Sequence, residues 1–137
     1  MALDLKYSAT LKAAQLNAIT STVGANSVIQ IYSGNKPASP DVNITDQLLL
    51  ATMSCSAVFA PGAVGGTLTV NPLADGTGTV AAGEGTKAAW FRLVTAGGTA
   101  CVDGTVGISN CDMNLNNPNI ATGQTISVAS MIVTNPN

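Results

Sequence analysis

After residue 24, turn-forming segments interrupt the chain every few residues, and none of the runs between them shows the spacing of a second convincing helix. These segments are rich in glycine, proline, asparagine and aspartate, as in APGAVGG, PLADGTG and NPNIATG. The runs between them alternate apolar and polar residues with a period of two, as in SVIQIYSG and CDMNLN. This pattern predicts a mainly β fold, an antiparallel β-sandwich of jelly-roll-like type, with strands from about residue 27 to 134.

The segment YSATLKAAQLNAITSTVGANS is the exception, because its apolar residues recur at helical spacing. We predict one N-terminal α-helix over about residues 9–23, with Ser8 as its N-cap and Gly24 as the residue that ends it. The face expected to be buried contains Leu11, Ala14, Ala18, Ile19, Thr22 and Val23. A chain of 137 residues fits a single domain, 1–137, with the helix packed at one end or edge.

Two predicted strands carry specific expectations about burial. QLLLATMSCSAVF is apolar on both faces at its start, which predicts a central strand. QTISVASMIVTN is predicted to form one final strand, with Ile126, Val128 and Ile132 on the same face. TVAAGEG is interpreted as a short strand and its exit.

The tripeptide DGT occurs twice, at residues 75–77 and 103–105. Calcium-binding loops place several oxygen ligands at close, regular spacing, and neither copy has that spacing. Asp-Gly supplies the positive φ that a type I′ turn needs, so we predict hairpin turns at both places.

Composition argues against several classes of function. Only 9 % of residues are charged and the net charge is −2, so the chain has no basic field for nucleic acid. It has no histidine and one glutamate, which removes the commonest nucleophile systems and the commonest metal ligand. No apolar run approaches the length of a membrane span. We therefore expect no enzymatic activity, no catalytic residues, no metal, no cofactor, and neither nucleic acid nor a membrane as partner.

The cysteines and the first residues bear on the cellular compartment. MALDLKYSATLK lacks a basic region followed by an apolar run, so we expect no secretory signal and synthesis in the cytoplasm, with the cysteines as thiols. Each of Cys55, Cys101 and Cys111 is interpreted as a small buried residue. A disulfide between Cys101 and Cys111 is an alternative if their strands are neighbours.

The segment TKAAWFRLVTAGGTACVDGTVGISN contains the only tryptophan and the only arginine. Trp90 and Arg92 share one strand face, opposite Phe91 and Leu93. Three interpretations stay open for this pair: a contact with another protein, a tryptophan platform for sugar rings, or a core tryptophan with the arginine lying along it. Together with the loop NKPASPDVNITD, the chain offers six candidate interface residues: Trp90, Arg92, Tyr32, Lys36, Pro37 and Asp41.

The order of several short motifs resembles a known class of proteins. LNAI is followed by IYSG and then PA, and later by AWFRL, DGTVG, DMNL and IATGQTISV. In these segments, from about residue 10 to 134, the chain resembles small virion structural proteins encoded in the head-gene regions of tailed bacteriophages and prophages, of the capsid decoration (cement) type. The three cysteines depart from that pattern.

The resemblance implies a non-enzymatic protein on the capsid surface of the virion. Such a protein docks on the outside of the assembled lattice, contacts the major capsid protein, stiffens the shell, and is often a homo-oligomer (a trimer or dimer). It implies no catalytic residues, and synthesis in the host bacterial cytoplasm. Two alternatives stay open: another virion component, such as a collar, tail or fibre protein, and a carbohydrate-binding module that uses Trp90.

Overall fold

A computed structural model describes residues 3–135 of the chain. The predicted domain 1–137 therefore includes four residues, at 1, 2, 136 and 137, that lie outside the described residues. The fold is mainly β, with one N-terminal helix, α1 (Ala9–Val23), and a short 3₁₀ helix (Val80–Ala82). The strands of the described part are β1 (Val28–Tyr32), β2 (Leu49–Ser54), β3 (Thr67–Thr69), β4 (Gly76–Thr77), β5 (Thr86–Lys87), β6 (Trp90–Val94), β7 (Ala100–Gly107), β8 (Met113–Leu115), β9 (Asn119–Ile120), β10 (Thr125–Ile126) and β11 (Val128–Thr134).

Seven strands form one large sheet in the order β2-β1-β6-β7-β8-β11-β3. The remaining strands pair as β10-β4 and β5-β9. The large sheet is mixed and not wholly antiparallel as predicted, because β7 and β8 run parallel. Only five residues, 108–112, connect these two strands, far fewer than an ordinary crossover connection. The Asp112 carboxylate stabilises this connection by accepting hydrogen bonds from the Thr105 N–H (2.9 Å) and hydroxyl (3.1 Å).

The predicted bounds of α1 are confirmed, but its predicted buried face is only partly confirmed, because Val23 is buried and Ile19 packs against the core while the other four residues do not. The Ser8 hydroxyl accepts a hydrogen bond from the Leu11 N–H at 3.1 Å, and Gly24 ends the helix with a φ of 71°. The buried side chains are Leu16 and Val23, seven residues apart, whereas Leu11 is 46 % exposed. A helix turns about 100° per residue, so the Leu16 and Val23 side points away from Leu11. Part of the helix's apolar surface is therefore left on the outside.

We expect Ser8→Ala to lower the free energy of unfolding by about 1 kcal/mol, because it removes the side-chain acceptor for a first-turn N–H. Urea unfolding followed by circular dichroism measures the change. Ser8→Asp keeps an acceptor at the same position and should retain most of the wild-type stability. Equal unfolding midpoints for Ser8→Ala and the wild type would contradict the assignment of this cap.

Strand β2 lies at an edge of the large sheet, so the prediction of a central strand is wrong. Its outer edge is nevertheless covered, because the Thr79 N–H donates to the Leu50 carbonyl at 2.8 Å and the Ala74 N–H donates to the Ser54 carbonyl at 3.0 Å. The segment 74–79 thus satisfies two carbonyl groups that an open edge would leave to water. This cover explains why the sequence of β2 is as apolar as that of a central strand.

Neither DGT copy forms the predicted hairpin turn. Asp103 and Gly104 lie inside β7, and Gly76 lies in β4. Neither glycine has a positive φ. The Phe91 ring on the neighbouring strand occupies the space above Gly104, since a Cβ at that glycine would lie 2.5 Å from Phe91 Cε1. Gly104 therefore gives room to an aromatic ring and does not turn the chain.

Two further strand predictions require correction. TVAAGEG contains the 3₁₀ helix at Val80–Ala82 in place of a strand. The last predicted strand is divided into β10 and β11, and β11 has an irregular register between Val128 and Ser130. A bulge shifts the alternation by one residue, so Met131 is buried and Ile132 is 42 % exposed. Ile126 and Ile132 thus do not share the buried face as predicted.

The hydrophobic core connects the large sheet with the smaller elements. Sheet residues such as Ile29, Leu93 and Met113 pack in one cluster with Leu16 of α1 and Ile120 of β9. Helix α1 also contacts the sheet near β3, and its Asn17 side chain accepts a hydrogen bond from the Ala63 N–H at 2.8 Å. The opposite face of the sheet at β1, β6 and β7 points away from this cluster and carries the polar and aromatic residues of the candidate site.

Candidate functional site

The register of three strands brings rare residues together on one sheet face. Tyr32 of β1 pairs with Trp90 of β6, and the next position on that face pairs Gln30 with Arg92. Arg92 in turn pairs with Asp103 of β7. We call Tyr32, Trp90, Arg92 and Asp103 the aromatic–ion cluster.

Close contacts connect all four members of the aromatic–ion cluster. The rings of Tyr32 and Trp90 are stacked, with centroids 4.6 Å apart and planes 15° from parallel. Arg92 lies over the Trp90 ring, with Cζ 5.4 Å from the ring centroid. Its guanidinium donates two hydrogen bonds to Asp103, from Nε to Oδ1 at 2.8 Å and from Nη2 to Oδ2 at 2.9 Å. The pair is bidentate and neutral as a unit.

The β1–β2 loop, residues 33–48, covers this cluster. The Trp90 Nε1–H donates to the Ser33 carbonyl at 3.3 Å, and Arg92 Nη2 donates to the Ser39 carbonyl at 3.4 Å. Gln47 holds the two ends of the loop together, because its Nε2–H donates to the Asn35 carbonyl at 2.7 Å. Trp90 is consequently only 1 % exposed and Arg92 only 5 %.

The structure gathers all six candidate interface residues at this one place, in two layers. Tyr32, Trp90 and Arg92 form the covered layer, so in this chain they present almost no surface to another protein. Pro37 is buried in the loop above them, whereas Lys36 and Asp41 are exposed on it. The interface assignment stays a prediction, but any direct contact here falls on the outside of the loop.

A groove of about 430 Å³ lies between residues 40–44 of the loop and the β6–β7 hairpin. Its lining is mostly polar and includes Gln30, Asp41, Asn43, Arg92 and Thr99. The guanidinium of Arg92 reaches this groove with its charge already compensated by Asp103. The groove therefore does not present a free cation to an anionic ligand.

The buried position of Trp90 removes the basis of the sugar-binding alternative. A sugar platform needs an exposed aromatic face, but one face of the Trp90 ring stacks on Tyr32 and Arg92 lies over the ring. The interpretation of a buried tryptophan with the arginine lying along it is the one that the structure supports.

Comparisons with known proteins returned no match. No protein-family model, no curated protein and no solved structure matches this chain. Within residues 3–135, no group of three or more His, Cys, Asp or Glu side chains is arranged to hold a metal ion. In the same range, no helix has the length and apolar character needed to cross a membrane.

Sequence reasoning missed the pairing of Arg92 with Asp103, because it placed Asp103 in a turn. A usable signal was present in the two adjacent glycines of the AGG segment, Gly97 and Gly98, whose midpoint lies between them. Arg92 and Asp103 are equally far from this midpoint, as paired residues of a hairpin are. Centring the hairpin there would have placed opposite charges directly across from each other.

Burial raises the pKa of Tyr32 above its ordinary value of 10.0, with a smaller opposing effect from Arg92. The Tyr32 hydroxyl donates a hydrogen bond to Gln30 Oε1 at 3.0 Å. Because the folded-state pKa exceeds the unfolded one, ionisation above pH 10 favours the unfolded chain. Stability from this group is complete below the unfolded pKa and is lost as the pH rises through the folded value.

We therefore expect the free energy of unfolding of the wild type to fall more steeply between pH 9 and pH 11 than that of Tyr32→Phe, which has no proton to lose at this position. Urea unfolding at several pH values in this window measures both slopes. Identical slopes for the two proteins would contradict the raised pKa of Tyr32.

The structure excludes the alternative of a Cys101–Cys111 disulfide. All three cysteines are free thiols. Cys111 Sγ lies beside Gly107 at one end of β7, and Cys101 lies at the other end of the same strand. A strand rises about 3.3 Å per residue, so the two cysteines are about 20 Å apart, whereas disulfides need Cα atoms within about 7 Å. The prediction that each cysteine is a small buried residue is only partly confirmed, since all three are half-buried.

Proposed function

We propose that this chain is a non-enzymatic bacteriophage virion structural protein that binds the outside of the capsid lattice and stabilises it. In this proposal its partners are the major capsid protein and further copies of the chain, as a trimer or dimer. Its site of action is the capsid surface, after synthesis in the host bacterial cytoplasm. The proposal rests on the resemblance in sequence motifs and on one structural observation, the apolar character of the exposed surface.

Large aliphatic side chains are exposed on a surface with few charges. The most exposed are Leu3, Val80, Val64, Leu5, Ile108 and Val58, with exposed fractions from 101 % down to 58 %. The whole chain has only five basic and seven acidic residues. Protein interfaces are depleted in charge at their centres. A surface of this kind supports extensive contact with other protein subunits, whose weak contacts add up over many copies on a lattice.

The proposal includes the finer fold expectation of a jelly-roll-like antiparallel sandwich. In that arrangement the β10-β4 and β5-β9 pairs belong to a second layer over the large sheet. Support comes from the core, where Ile120 of β9 and Ile126 of β10 pack in the same cluster as Ile29 and Leu93 of the large sheet.

Rebinding to particles tests this function. Purified chain is added to phage particles assembled without it, and their resistance to heat and to chelators is measured. We expect bound chain and restored resistance; absence of rebinding would refute the proposal. Val80→Asp and Ile108→Asp test whether rebinding depends on the exposed apolar side chains. Thr125→Asp adds the same charge at an exposed polar position and is the matched control.

Cryo-electron microscopy of intact particles then separates the two kinds of virion component. Density for the chain repeated over the whole capsid surface supports the decoration role. Density confined to one vertex or to the tail supports the alternative, a collar, tail or fibre protein, and would overturn the decoration role.

A further inference from the structure

The segment of residues 3–8 before α1, here called the arm, exposes apolar side chains that have no packing partner in this chain. Leu3 is 101 % exposed and Leu5 is 74 % exposed. Asp4 and Lys6 form an ion pair at 3.3 Å, so these two side chains lie on one side of the arm and compensate each other's charge. In an extended segment the alternate residues Leu3 and Leu5 lie on the other side. The arm thus presents a neutral, aliphatic face.

An apolar groove lies directly beside the point where the arm joins the helix. This groove, here called the α1 groove, has a volume of about 570 Å³ and is formed by the first turns of α1 and residues 63–65. Its walls include Ala9, Ala13, Ala14, Asn17, Ala63 and Val64, and none of its lining side chains is charged. Val64 on its rim is 82 % exposed. The Asn17–Ala63 hydrogen bond joins the two walls, so the groove is preformed.

We propose that the arm of one copy lies in the α1 groove of a second copy, and that the exchange is reciprocal about a two-fold axis. The occupant matches the groove, because both surfaces are aliphatic and neither brings an uncompensated charge into the contact. The groove begins at Ala9, where the arm ends, so one axis close to this junction places both arms over both grooves.

The arm's own groove is a poor alternative for it. To return there, the chain would have to reverse between Leu5 and Ala9, in a segment without glycine or proline. Ser8 is in an extended conformation, with ψ of 158°, and this conformation is part of the N-cap that satisfies the first turn of α1. A fold-back would therefore compete with the cap, whereas a second copy leaves the cap intact.

This inference rests on the homo-oligomer of the proposed function but does not depend on capsid binding. It is tested with the full chain alone, by sedimentation over a concentration series. We expect a dimer for the wild type, and an increase of about tenfold or more in the dissociation constant for Leu5→Asp and for Val64→Asp, since each places a charge in an apolar contact. Val80→Asp makes the same change at an 86 % exposed aliphatic residue outside the groove and should leave the dimer unchanged.

A monomeric wild type, a trimer, or a Leu5→Asp dimer of wild-type strength would each overturn the proposal. Circular dichroism of each variant shows that a loss of pairing is not a loss of folding. A monomeric wild type that still rebinds particles removes the arm exchange and the homo-oligomer, and leaves the proposed capsid binding standing. A wild-type dimer that fails to rebind particles keeps the arm exchange and refutes the proposed capsid binding.

Crosslinking distinguishes exchange from fold-back. Leu5→Cys is mixed with a size-tagged Val64→Cys protein under mild oxidation, and a disulfide product of mixed size is expected. The wild type, which carries three native thiols, is oxidised in parallel to give the background. A double variant, Leu5→Cys with Val64→Cys, that crosslinks only within one chain would show that the arm occupies its own groove and would overturn the proposal.

Discussion

Replacing Gly78 with alanine is expected to lower the free energy of unfolding by about 3 kcal/mol, because no space exists for the added methyl group. A Cβ at this position would lie 1.8 Å from the Ala121 carbonyl oxygen. This clash can be relieved only by moving the backbone, because neither the added Cβ nor the carbonyl oxygen can be moved by a side-chain rotation. Two hydrogen bonds oppose that shift: the Gly78 N–H donates to the Gln124 carbonyl at 2.7 Å, and the Gly123 N–H donates to the Gly78 carbonyl at 2.9 Å.

Urea unfolding measures this loss, and Gly62→Ala is its matched control. Gly62 is exposed and does not have a positive φ, and a Cβ added there would have no heavy atom within 4 Å outside the neighbouring residues. The free energy of unfolding of Gly62→Ala should therefore equal that of the wild type or exceed it slightly, because alanine restricts the conformations of the unfolded chain. If Gly78→Ala and Gly62→Ala had the same unfolding midpoint, the close approach of residues 78 and 121 would be wrong.

Local chemistry made some elements predictable. Helix α1 has a hydroxyl acceptor at Ser8 and a left-handed glycine at Gly24, and both act within one turn of the chain. Strand β1 alternates as predicted because one face meets the core and the other does not, and Ile29 and Ile31 face the core. These patterns depend on near neighbours in sequence, so the sequence indicated the elements themselves, although it misplaced most of the buried face of α1.

The failures share a different cause, which is that distant segments decide the outcome. Strand β2 is as apolar as a central strand, but its cover comes from residues 74–79 and not from another strand of the sheet. The alternation of the last strand fails at Ser130, where a bulge against β8 moves Met131 into the core. No local feature of QTISVASMIVTN marks that bulge, because the irregularity is set by the pairing partner.

In the candidate site too, features set by near neighbours in sequence were predictable and those set by distant segments were not. The shared face of Trp90 and Arg92 follows from the two-residue period of a strand and was predicted. Their burial was one of three interpretations left open, because it depends on the β1–β2 loop returning over the sheet, which the composition of the loop does not specify. A proline-rich, asparagine-rich loop has the same sequence signature whether it covers a sheet or extends into solvent.

Asp103→Ala is expected to lower the free energy of unfolding by about 3 kcal/mol, because it leaves the Arg92 guanidinium buried without its carboxylate. The side chains of Arg92 and Asp103 are 7 % and 1 % exposed, so water is a poor replacement for the lost carboxylate unless the loop opens further. Opening the loop also releases the Ser33 carbonyl from Trp90. We therefore expect the fluorescence of the single tryptophan to shift to longer wavelength in Asp103→Ala before global unfolding.

The double variant Arg92→Met with Asp103→Leu separates the role of the pair from the space that it fills. A buried ion pair replaced by apolar residues of similar volume often costs little, so the double variant should recover most of the stability lost in Asp103→Ala. Calorimetric or urea unfolding of the wild type, Arg92→Met, Asp103→Leu and the double variant completes the cycle. A double variant as unstable as Asp103→Ala would show that the ion pair itself stabilises the fold. Recovery would show that the main cost in the single variant is the unpaired charge left in the buried site.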